Sequence, residues 1–142
     1  MKTKLSSIMF SLMFVAGIPN VFAGSGEPMG PATYHEIQLH TISMAEAESL
    51  LGQKDVLFFD VNTLELWAEG FIPGATFINV DNWQDLLPKE KDKVMVFYCA
   101  NRLCNASEIA AREVMKLGYT NVRQMHDGIY GWRLSGRPTE RP

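Results

Sequence analysis

The sequence predicts an α/β domain, a mainly parallel sheet with helices on both faces. Three observations point there. Short apolar runs of strand length alternate with amphipathic stretches of helical period. Two of the runs, Val56-Leu57-Phe58-Phe59 and Val94-Met95-Val96-Phe97-Tyr98, are continuously apolar, as strands buried on both faces are. Turn residues and single glycines separate the segments throughout.

The elements follow in order. His35 to Ile42 alternates partly, with Ile37, Leu39 and Ile42 apolar, and reads as a short first strand or extended arm. Ser43-Met44-Ala45-Glu46 fits a capping box and opens a helix through Ala47, Leu50 and Leu51 that ends near Gly52. Asp55 to Val61 holds the first buried strand, and Leu64 to Glu69 a short helix stopped by Gly70. Ile72-Pro73-Gly74-Ala75 makes a turn, Thr76 to Val80 a brief strand, and Asn82 to Leu87 a turn or two of helix ended by Pro88.

Val94 to Tyr98 is the most apolar strand and runs straight into Cys99. Beyond a loop, Ser107 to Leu117 forms a helix with Ala106, Ile109, Ala110, Val114 and Leu117 on one face. Asn105 is placed to cap it, and Gly118 to close it. Val122 to Met125 is the last strand, and Ile129 to Leu134 the last helix.

At 142 residues, 46% hydrophobic and 20% charged, the chain has room for one ordinary globular domain. A net charge of -3 offers no basic surface for nucleic acid or anionic lipid. Residues 1–23 stand apart from the fold. Lys2 and Lys4 give a basic start, Leu5 to Ile18 is uncharged and apolar, and Val21-Phe22-Ala23 ends in a small residue. That layout is a secretory signal peptide cleaved after Ala23, and its apolar run of about 14 residues is short for a permanent span. Residues 24–33, rich in Gly and Pro, form a flexible lead-in to a domain over 34–142. The expected location is beyond the inner membrane, in the periplasm, with no stable membrane insertion after cleavage. There, neighbouring thiols tend toward the disulfide unless a dedicated reductant intervenes.

Both cysteines, Cys99 and Cys104, lie in one loop at the carboxyl end of the most buried strand, where ligands bind in open parallel sheets. A thiol at a helix start faces amide N–H groups and the positive end of the helix dipole, which favour the thiolate. The same amides can cradle an anion, and Arg102 adds a full positive charge. From the residues alone, a nucleophilic sulfur and a structural disulfide both stay open.

Asp60-Val61-Asn62, Glu65, Trp67 and Gly70-Phe71-Ile72-Pro73-Gly74-Ala75 resemble the rhodanese signature, a strand ending in Asp-Val-Arg and leading to Gly-His-Ile-Pro-Gly-Ala. Val94 to Cys99, the loop and helix, Gly118-Tyr119, Asn121-Val122, Gly128-Ile129, Trp132 and Gly136-Arg137-Pro138 continue the resemblance in order, across residues 34 to 140. It implies a rhodanese-like fold with a five-stranded parallel sheet. It also implies a sulfurtransferase in which Cys99 accepts a sulfane sulfur as a persulfide and passes it to a thiol or other nucleophile. The loop of Ala100, Asn101, Arg102, Leu103 and Asn105 would cradle the sulfur and the incoming anion, with Asp60 in support. The implied partners are a small sulfur-containing anion or thiol acceptor and a thiol reductant protein; no cofactor is implied.

Four positions depart from the family pattern: Asn62 for Arg, Phe71 for His, Asp127-Gly128 for Gly-Gly, and Cys104 where many active loops end in Arg. The first two are expected to be packing changes. Asp127 places a carboxylate, with His126, near the mouth of the loop. Cys104 removes a cation and introduces a resolving thiol or disulfide partner. A phosphatase loop needs Arg where this chain has Asn105, and Cys99, Cys104 and His126 fall short of a four-ligand metal set. The alternative is a non-catalytic redox or partner-binding module of the same fold, closed by a Cys99–Cys104 disulfide.

Overall fold

The computed structural model describes residues 38–142. The signal peptide read at 1–23, the lead-in at 24–33 and the first residues of the domain lie outside them. Among the described residues no helix is long and apolar enough to cross a membrane.

Five parallel strands form one sheet in the order β1-β5-β4-β2-β3. They are β1 (His40–Ile42), β2 (Val56–Asp60), β3 (Thr76–Phe77), β4 (Val94–Tyr98) and β5 (Val122–Met125). Helices α1 (Met44–Ser49), α2 (Leu64–Glu69) and α3 (Ala106–Lys116) and a turn of 3-10 helix at Trp83–Leu86 connect them, and α4 (Gly128–Leu134) follows the last strand. The α/β class, the parallel sheet and every element of the sequence reading are present.

Side-chain alternation along the strands builds two cores. Phe58, Val96, Tyr98 and Met125 face Ala47 of α1 and Ile129 and Trp132 of α4. Phe59, Met95, Phe97 and Val122 face Ala111 and Val114 of α3. Residues 95–98 are all fully buried, because β4 is the middle strand and is covered on both sides. At about 1.5–3 kcal/mol for each large apolar side chain buried, β4 is the best-anchored segment of the fold. The residue that follows it, Cys99, inherits that fixed position.

Boundaries differ where local chemistry overrides the pattern. The capping box at Ser43 forms in full, its hydroxyl accepting from the Glu46 amide while the Glu46 carboxylate accepts from the Ser43 amide at 2.7 Å. The helix nevertheless stops at Ser49, short of Gly52, whose positive φ of 70° turns the chain. β3 is shorter than Thr76 to Val80, since the Val80 amide bonds back to Ile78 and bends the chain off the sheet edge.

Two expectations for α3 are corrected. Asn105 makes no side-chain cap, because its own backbone is already helical (φ -97°, ψ -1°) and its carbonyl accepts from the Ile109 amide instead. The buried stripe is Ser107, Ala111 and Val114, whereas Ile109 and Leu117 are exposed. The helix is rotated by about one residue from the face its apolar residues mark. Small Ser and Ala side chains let it sit close on the sheet, and Ser107 is turned inward toward Cys99.

Candidate active site

Cys99 directly follows β4 and is 2% exposed. The chain then loops through residues 100–105 into α3, and the start of α4 closes the loop from below. Amide donors of Ile129 and Tyr130 bond the carbonyls of Cys99 (2.8 Å) and Ala100 (3.0 Å). Gly128, at φ +67°, makes this approach feasible: a Cβ there would fall 2.5 Å from the Ala100 carbonyl. The Asp127-Gly128 pair therefore keeps the one glycine that the close contact requires.

Cys99 and Cys104 are joined by a disulfide, with Cα atoms 6.3 Å apart, inside the usual window of about 4.4–6.8 Å. Cys104 is the less buried of the two. Asn101 shapes the loop in this closed form. Its carbonyl accepts from the Cys104 amide (3.0 Å) and its side-chain oxygen from the Leu103 amide (2.9 Å). The Leu103 amide of the expected anion cradle, and that of Cys104, are thus held by Asn101 while the disulfide is closed.

Arg102 pairs with Asp127 beside the loop. Its Nε and Nη2 both bond Asp127 Oδ1, at 2.7 and 2.6 Å, and its side chain is largely exposed. Leu103 stands 95% exposed at the loop tip, and Asn105 is exposed at its end. Among the described residues no three His, Cys, Asp or Glu side chains converge as a metal site would need.

Beside the loop, Asp60 ends β2 opposite Tyr98, the residue before Cys99. Its Oδ1 accepts from the Asn62 amide at 2.8 Å, and Oδ2 has no hydrogen-bond partner among the described residues. Burial raises its pKa above the ordinary carboxylate value; the neighbouring Tyr98 hydroxyl and Asn62 oppose that shift. Burial and the Asp60 charge raise Tyr98 as well, so it stays a neutral phenol, accepting from the Ile72 amide at 3.1 Å. Tyr98 thereby ties the turn at Ile72 to the strand that leads into Cys99. The two departures at the first motif do pack: Asn62 is buried, and Phe71 stacks on Trp67 with ring centroids 3.6 Å apart.

Two residues beside the sulfur were not singled out by sequence. Ser107 Oγ lies 3.3 Å from Cys99 Sγ, and Gln124 Nε2 donates to that hydroxyl at 3.1 Å. Gln124 carried a signal, being a polar side chain in the middle of a short strand with apolar ends.

Residues 43–135 match the family model of the rhodanese-like domain. The chain belongs to the rhodanese-like domain family. Human thiosulfate:glutathione sulfurtransferase is similar at 31% identity over 109 residues, covering 65% of this chain and 91% of that enzyme. An HTH-type transcriptional regulator from Mycobacterium tuberculosis is 32% identical over 87 residues, 61% of this chain. That match spans only 38% of the regulator's length. Among solved structures, the rhodanese-like chain is similar to the BH2092 protein of Bacillus halodurans, with 26% identity and a TM-score of 0.64 over 72% of this chain and 77% of that one.

Proposed function

We propose that this rhodanese-like protein is an exported sulfurtransferase in which Cys99 carries a sulfane sulfur and Cys104 resolves it. The observation that carries the proposal is a buried Cys99 at the end of the central strand, bonded across its own loop to Cys104. Similarity to a thiosulfate:glutathione sulfurtransferase supports the reaction class.

A thiol reductant opens the disulfide by attacking Cys104, the less buried sulfur, and Cys99 leaves as the thiolate with the bond's electron pair. A second reductant thiolate then frees Cys104. The Cys99 thiolate attacks the outer sulfur of a donor such as thiosulfate, forming a Cys99 S–S bond while sulfite departs with the electrons of the donor's S–S bond. An acceptor thiolate takes the outer sulfur and returns the Cys99 thiolate. When no acceptor comes, the Cys104 thiolate attacks the inner sulfur of Cys99, the disulfide reforms, and hydrosulfide leaves. Loop amides stabilise the anions formed along the way, once opening frees those of Leu103 and Cys104.

Signal-peptide cleavage after Ala23 and a periplasmic location complete the proposal, supported by the basic, apolar and small-residue layout of residues 1–23. Amino-terminal sequencing of the protein recovered from its cell tests this, and a start at Gly24 is expected. The transferase is tested by treating reduced Cys104→Ser protein with thiosulfate and weighing it. A gain of one sulfur, absent in Cys99→Ser, is expected; no gain rejects the proposal.

The closed disulfide favours a second reading, a redox or partner-binding module that never carries sulfur. It predicts reversible closure of the loop with no sulfur adduct under the same treatment.

A further inference from the structure

Gln124 occupies a place where an apolar side chain would be unremarked. It sits in β5, in register with Phe97 of β4 and Thr41 of β1, and is 4% exposed on the face that packs against α3. Burying an amide there costs free energy unless it is hydrogen-bonded. Its partner is the hydroxyl of Ser107, itself 1% exposed, and that hydroxyl lies 3.3 Å from Cys99 Sγ. Three buried polar groups from β5, α3 and the end of β4 therefore form a line that ends on the sulfur.

The proton on Ser107 has one direction to go. Gln124 Nε2 only donates, so Ser107 Oγ is the acceptor in that bond. Cys99 Sγ carries no proton in the disulfide, nor would it as a thiolate, so it cannot donate to the hydroxyl. The Ser107 O–H is left to donate to Cys99. A donor aimed at an acceptor is worth most when the acceptor is charged, so the contact favours the thiolate over the thiol.

We propose that Ser107 steadies the Cys99 thiolate through its hydroxyl, and that Gln124 is a positioning residue that fixes the direction of that hydroxyl. This rests on Cys99 being the reactive sulfur, and it adds to the loop amides a donor from inside the protein. The loop Arg of many relatives is absent here, and a neutral buried donor serves part of the same end without adding a charge to the core.

The test uses the reduced protein with Cys104→Ser, so that one thiol titrates, and follows the rate of Cys99 alkylation by iodoacetamide against pH. Ser107→Ala is expected to raise the apparent thiol pKa by about one pH unit, and Ser107→Thr, which keeps the hydroxyl, to restore it. Gln124→Leu is expected to raise it by less, and the Ser107→Ala/Gln124→Leu double variant to match Ser107→Ala alone, because Gln124 acts only through the hydroxyl. An unchanged pKa in folded Ser107→Ala overturns the proposal. A lowered pKa in Gln124→Leu overturns the role of Gln124, since it means the amide oxygen was drawing the proton away.

A second measurement covers the case of an unstable variant. Equilibrium of the Cys99–Cys104 disulfide with glutathione should show Ser107→Ala harder to reduce than the parent, and equal poise rejects the contact. Neither readout needs a sulfur donor. A protein that shows these shifts but takes no sulfur from thiosulfate loses the transferase proposal and keeps this one, and the converse result does the reverse.

Discussion

Gly128 lies directly beneath Ala100, so close that a Cβ on the glycine would sit 2.5 Å from the Ala100 carbonyl carbon and oxygen. The contact joins the start of α4 to the loop that holds both cysteines. Gly128→Ala combines a left-handed backbone with this overlap, and the two together are expected to cost about 2–4 kcal/mol. Urea unfolding measures the loss. Faster alkylation of Cys99 in the reduced variant would report the loop lifted off its floor. Unchanged stability would mean that the loop yields freely and is not held from below.

Asp60 makes stability depend on pH with a definite sign. Its pKa is raised on folding from an ordinary value of 3.8, chiefly by burial. The folded state therefore holds a proton that the unfolded chain has already lost, and the stability linked to Asp60 falls as pH rises through the folded pKa. Asp60→Asn has no such proton to lose. Urea unfolding from pH 4 to 8 should show the parent losing stability relative to Asp60→Asn as pH rises, then levelling. A difference that grows in the parent's favour with pH contradicts the assignment.

Arg102 is held by Asp127 at 2.6 Å beside the loop mouth. Asp127→Asn removes a carboxylate that opposes an anionic donor and leaves Arg102 without its ion-pair partner. At about 1 kcal/mol for one charge in a solvated setting, loading of the reduced protein by thiosulfate should quicken about fivefold at low salt, and less at high salt. Arg102→Gln should slow it. Stopped-time mass spectrometry gives both rates. Equal rates for the parent and Asp127→Asn would place the pair outside the donor's path.

Much of this was legible in the sequence, for physical reasons that can be named. Val94 to Tyr98 is apolar at every position because β4 is covered on both sides, and that pattern also placed Cys99 at a strand end. The Ser43 capping box is local chemistry and formed as written. α3 misled because Ile109 and Leu117 are apolar yet exposed, while the buried stripe uses Ser107, a residue whose inward turn depends on Cys99 and Gln124 arriving from other strands. The sequence places Arg102 in the anion-binding loop, whereas its pairing with Asp127 joins residues 25 positions apart and has no local signature. The Ser107 and Gln124 contacts are long-range in the same way.

The central claim is that Cys99 takes up sulfur and Cys104 then expels it as the disulfide closes. One measurement addresses both steps: reduced protein, freed of reductant, is given one equivalent of thiosulfate, and its mass, free thiols and released sulfide are followed together. The parent should gain one sulfur, then lose it as hydrosulfide while both thiols disappear into the Cys99–Cys104 disulfide; Cys104→Ser should keep the added sulfur. Disulfide closure with no prior sulfur adduct and no sulfide would contradict the account.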